Sequence, residues 1–118
     1  MTQHDDSVNA RLDHLYADYH QQLPERINYV AQQFSAYYAQ PNPPAALQNL
    51  HLALHQLAGS GATFGHSEMG KVARHWEHLT SALLNTSAPP ITSQWEEMHS
   101  LLAELSRTAT LRDEFRPS

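Results

Sequence analysis

Apolar residues recur at three- and four-residue steps along most of the chain, and prolines interrupt the pattern at a few places. Val8, Leu12, Leu15, Tyr16 and Tyr19 mark a first helix over about 6–20. Pro24, directly after Leu23, suits the first turn of a second helix, which Ile27, Val30, Ala31, Phe34 and Tyr37 carry to about Tyr38. A third helix starts near Pro44 and holds Leu47, Leu50, Leu54, Leu57 and Phe64 on one side. After Gly65, Ser67 reads as the N-cap of a fourth, with Glu68 in its first turn and Met69, Val72, Trp76, Leu79 and Leu83 along its apolar face. The fifth, over about 92–109, carries Trp95, Met98, Leu101, Leu102 and Leu105. Few segments read as strands. The expected fold is all-α: an antiparallel four-helix bundle with an additional N-terminal helix, five helices in all.

Composition narrows the functional classes. A length of 118 residues with 41% apolar content fits one domain over 1–118, its core spanning about 8–108 between short polar tails. The net charge is −5 and no basic cluster exists to follow a phosphate backbone, so nucleic acid is not an expected partner. The polar, acidic start "MTQHDDSVNA" is no signal peptide, and no apolar run approaches the ~18 residues of a membrane span, so a cytoplasmic, soluble, monomeric protein is expected. The absence of cysteine excludes disulfides, thiolate metal sites and thiol nucleophiles together. Histidine is the unusual residue, with nine copies.

Three of the four glycines fall within "LHQLAGSGATFG", residues 54–65. Their spacing, G-x-G-x-x-x-G without a following Lys-Ser/Thr, on a leucine-periodic helix, fits neither a phosphate-binding loop nor a dinucleotide loop. At about 100° per residue, the Leu47, Leu50, Leu54, Leu57, Gly61 and Phe64 side of the third helix points almost directly away from His55. Gln48, His51, Gly59 and Ala62 share the outward side with His55. Each mid-helix glycine costs about 1 kcal/mol relative to alanine. Gly61, on the core side, therefore implies the close approach of a neighbouring helix, and Gly59, on the outer side, implies cleared space beside an imidazole.

With an outward histidine, leucine at +2, glycine at +4, a small pair and "TFG" closing the helix, "HQLAGSGATFG" resembles the signature of histidine-containing phosphotransfer (HPt) domains, H-x-L-K-G-S-x-x-x-x-G. It is especially similar to the phosphotransfer domain of chemotaxis histidine kinases, and the likeness of pattern spans about residues 8–108. The resemblance implies that His55 is the phosphoacceptor, taking a phosphoryl group on Nε2 from a receiver-domain aspartate and passing it to a response regulator. It implies no intrinsic kinase activity and no cofactor in this chain, since the magnesium and the acid pocket belong to the receiver. It further implies that Glu77, 22 residues after the histidine, accepts a hydrogen bond from Nδ1 and fixes the tautomer. The family's lysine at +3 is Ala58 here, and the only lysine is Lys71. Arg74, three residues before Glu77, is the expected source of the missing charge. Receiver docking is expected on Gln48, His51, Leu52, Gly59, Ala62 and His66, with Lys71 and Arg74 nearby.

Two other readings stay open on the residues alone. His51 and His55 at i, i+4, with His75 and His78 at i, i+3 on the next helix, have the spacing of a metal site in a bundle, although HExxH and the carboxylate-rich di-iron pattern are absent. An HPt-like scaffold that binds a receiver without carrying phosphate is the other. His4, His14, His20 and His99 read as polar surface residues. The initiator methionine, acidic leader and short tail read as a free-standing carrier, and an excised domain of a hybrid kinase would look similar.

Overall fold

The computed structural model describes residues 3–113 and contains four helices among them: α1 (Gln3–Ala39), α2 (Ala45–Thr63), α3 (Ser67–Leu84) and α4 (Thr92–Thr108). The all-helical bundle agrees with the apolar periodicity. The expected fifth helix is not seen among the described residues, because α1 runs through Pro24 without a break. Pro24 cannot donate to the His20 carbonyl one turn back, which costs about 3 kcal/mol in a helix interior. Against that, Tyr19, Leu23, Val30 and Phe34 are all buried, with Ile27 packed against them, and they follow one another in steps of three and four on both sides of the proline. A chain break at Pro24 would put the two halves of this stripe out of phase, so burial of the continuous stripe outweighs the lost hydrogen bond. Pro24 itself is exposed.

At 1.5 Å per residue, the 37 residues of α1 span about 55 Å, twice the reach of the other helices, and the molecule is correspondingly long at 60 × 21 × 21 Å. The bundle begins where Tyr19 stacks on Phe64, ring centroids 4.9 Å apart. Before that point the same stripe continues uncovered: Val8, Leu12, Leu15 and Tyr16 are all exposed. The core gathers around fully buried Trp76, with Phe34 edge-on to it at 5.4 Å and Leu50, Leu54, Met69, Met98 and Leu105 completely enclosed.

The closest helix pair is α2 and α3. A Cβ on Gly61 would lie 2.8 Å from Met69 Cε and 3.0 Å from the His66 carbonyl, and one on Gly70 would lie 3.3 Å from the Ala58 carbonyl. The backbones meet there because neither position has a side chain. The two helices reverse direction at Gly65, whose φ of 85° is open to glycine at little cost.

The start of α3 corrects the N-cap expectation. His66 occupies the cap position and Ser67 is the first helical residue. The capping carboxylate comes from the far end of the chain: Asp113 accepts from the Ser67 amide at 3.1 and 3.2 Å and from its hydroxyl at 2.6 Å, while the Asp113 amide donates to the Gly65 carbonyl at 2.7 Å. His66 is fully buried at this corner, its Nδ1 donating to the Leu111 carbonyl at 3.0 Å and its Nε2 facing His20 Nδ1 at 3.2 Å. Burial, more than any other influence, holds the His66 ring below the usual histidine range, with His20 and Arg112 adding to the effect and the Leu111 carbonyl and Asp113 opposing it. The unfolded chain therefore binds a proton that the folded chain resists, and stability must fall as pH drops below about 6.5. Urea unfolding at pH 7.5 and 5.5 should show the lower stability at pH 5.5, with a smaller difference between the two pH values in His66→Gln.

Candidate functional site

His55 sits on the outer face of α2, between buried Leu54 and Leu57, with its side chain 65% exposed. Its Nδ1 donates to Glu77 Oε2 at 2.6 Å. An ionised carboxylate only accepts, so this bond fixes the Nδ1–H tautomer and leaves the Nε2 lone pair free. Glu77 lies next to Trp76 on α3 and is almost enclosed, with 12% side-chain exposure. Its second oxygen, Oε1, is buried without a hydrogen-bond partner and faces Arg74 Nη1 at 3.8 Å. One carboxylate thus orients the imidazole through one oxygen and meets a guanidinium through the other.

The glycines divide as the helical wheel expects. Gly61 is buried in the α2–α3 seam, and a Cβ on Gly59 would meet nothing within 4 Å. Open space one turn from His55 leaves room for a partner to reach Nε2. Gly59→Gln is therefore expected to fold normally, with an unfolding midpoint close to wild type, and to slow phosphate uptake about tenfold or more by occupying the approach. Time courses of phosphorylation beside thermal melts would measure both.

The remaining sequence-predicted residues scatter in their placement. Gln48, Leu52, Ala62 and Lys71 are exposed, Lys71 paired with Glu68 at 3.3 Å. His51 is half-buried, and its Nδ1 bonds Thr80 Oγ1 at 2.8 Å. His66 cannot dock anything: it is completely buried at the α2–α3 corner, facing α1. Ala58, where a lysine stands in the HPt signature, is buried against the seam with α3, so that position serves helix packing here. His75 bonds Glu97 at 3.0 Å, and among the described residues no three of His, Asp and Glu converge as a metal-binding group. The sequence pattern missed a groove between α1 and α2, lined by Glu25, Arg26, Tyr29, Asn49, Leu52, Ala53 and Gln56. Tyr29, an exposed aromatic off the buried stripe of α1, was its one sequence signal.

The family model described as Hpt domain matches residues 14–110. The chain belongs to the Hpt family. Hpt domains are phosphocarriers of two-component signalling that interact with receiver domains, and they are carrier modules, not kinases. No curated protein and no solved structure matches the chain. The match covers the whole bundle and begins within the exposed part of α1. No helix of this Hpt chain among the described residues is long and apolar enough to cross a membrane.

Proposed function

We propose that this Hpt chain accepts a phosphoryl group on His55 from the aspartyl phosphate of a receiver domain and passes it to the aspartate of a response regulator. The observation that carries the reading is the 2.6 Å bond from His55 Nδ1 to buried Glu77, on a ring that is otherwise 65% exposed. In the forward step the Nε2 lone pair attacks phosphorus, the bond to the aspartyl oxygen breaks, and the electron pair leaves with the carboxylate. The ring then carries a positive charge with its proton still on Nδ1, where the Glu77 carboxylate stabilises it. The return step reverses these bonds on a second receiver. Arg74 Nη1, 3.8 Å from Oε1 and without a hydrogen bond to it, adds a positive charge near the carboxylate.

Docking falls on the surface around His55. Exposed Leu52 and Tyr29 supply apolar area, which suits brief contact with a receiver. The test is to incubate the chain with a panel of phosphorylated receiver domains and follow acid-labile phosphate onto it. Transfer from at least one receiver is the expected result. Stable binding without transfer from any receiver would replace the carrier with a scaffold.

A further inference from the structure

His51 lies one turn before His55, and its ring is anchored in a parallel manner. The Thr80 hydroxyl donates to the Glu77 carbonyl at 2.8 Å, so its oxygen accepts from His51 Nδ1, also at 2.8 Å. His51 is thereby fixed as the Nδ1–H tautomer, and its Nε2 makes no hydrogen bond among the described residues. Because α2 and α3 are antiparallel, one turn back along α2 matches one turn forward along α3. The result is two rungs, His55 to Glu77 and His51 to Thr80. They differ in charge, since Glu77 is a carboxylate and Thr80 is neutral.

A phosphoryl group on His55 brings up to two negative charges to this face. The two basic side chains of α3 each already have an acidic neighbour: Lys71 lies 3.3 Å from Glu68, and Arg74 lies 3.8 Å from Glu77. The lysine position of the signature is buried Ala58. Residues four apart on a helix have Cβ atoms about 5–6 Å apart, so His51 and the incoming charge share one face of α2. The titratable groups around it are His55 on its own helix and Glu77 on α3, and no hydrogen bond or ion pair among the described residues brings a charged group of α1 or α4 to it.

We infer that His51 is the charge partner of the phosphorylated site: it takes a proton from solvent onto Nε2 when His55 is phosphorylated, and the resulting imidazolium balances the phosphoryl group. Thr80 is the positioning residue, keeping the Nδ1 proton in place so that the new proton goes to Nε2. Phosphorylation is then coupled to proton uptake, and the lysine of the signature is replaced by a titratable group. The inference rests on the phosphotransfer reading of His55.

The full chain, labelled at its histidine rings and phosphorylated with phosphoramidate, provides the test. Nuclear magnetic resonance spectra of the rings between pH 5.5 and 8.5, with His51 assigned by its loss in His51→Gln, follow protonation before and after phosphorylation. The pH at which His51 protonates should rise by about one unit or more on phosphorylation, as an opposite charge at this range requires. The rise should be smaller in Thr80→Val and retained in Arg74→Ala. At equilibrium with a receiver, the share of phosphate held on the chain should fall several-fold in wild type from pH 6 to pH 8, as coupled proton uptake requires, and much less in His51→Lys, whose charge is permanent over that range. Phosphate on His55 with no change at His51, or a rise lost in Arg74→Ala, overturns the inference and leaves the carrier reading intact. Absence of acid-labile phosphate on His55 overturns both.

Discussion

Replacing His55 with glutamine is expected to reduce phosphate uptake to background while leaving the fold untouched. Glutamine is close to histidine in reach, and its side-chain amide donates as Nδ1 does, so the bond to Glu77 Oε2 at 2.6 Å has a substitute and the buried carboxylate keeps a partner. The 65% exposure of the side chain means that little packing is lost. What disappears is the lone pair on Nε2, since an amide nitrogen is no nucleophile. A receiver assay in which His55→Gln still accumulated acid-labile phosphate would move the phosphoacceptor elsewhere, and circular dichroism melts would show that the variant is folded.

The largest effect on stability is expected at Gly61. The added Cβ of any side chain would stand 2.8 Å from Met69 Cε, 3.0 Å from the His66 carbonyl and 3.2 Å from Gly70 Cα. The methionine end can move, but the other two are backbone. A valine, rigid at χ1, needs the helices to separate, and overpacking of this kind costs about 3 kcal/mol against the roughly 0.5 kcal/mol gained in helix propensity. For a chain of this length that corresponds to a fall of about 10 °C in unfolding midpoint. Gly59→Ala, with no neighbour within 4 Å, provides the contrast: it should leave stability unchanged or raise it by about 1 kcal/mol. Thermal melts of the two variants side by side would decide the matter. Gly61→Val should also weaken transfer in its folded fraction, because His55 and Glu77 lie on the two helices that are pushed apart.

The difference between these glycines was legible in the sequence because each could be placed relative to a leucine stripe on its own helix. The same holds for His55, exposed opposite Leu54 and Leu57, and for most of the core. The errors arose where a residue's fate depends on another element. Pro24 carries a strong local signal for a helix start, yet the steps from Tyr19 to Leu23 to Ile27 keep their phase across it, and tertiary burial of that stripe overrules the local preference. His66 follows a glycine after a helix and reads as a surface residue, but α1 and the Leu111 carbonyl enclose it. The Arg26 and Tyr29 groove was not legible because it exists only once α1 and α2 are set side by side, and a single wheel contains no register between helices. The Thr80 rung was hidden for the same reason.

The match to the family ends at Thr110, whereas the hydrogen bonds that start α3 end at Asp113. The hydrogen bonds of the described residues therefore reach three residues past the matched segment. Those residues form no helix and add nothing to the phosphohistidine signature, yet the helix that carries Glu77 has its first turn closed by a carboxylate at the opposite end of the chain. Two stretches 46 residues apart in sequence thus close a single corner of the bundle.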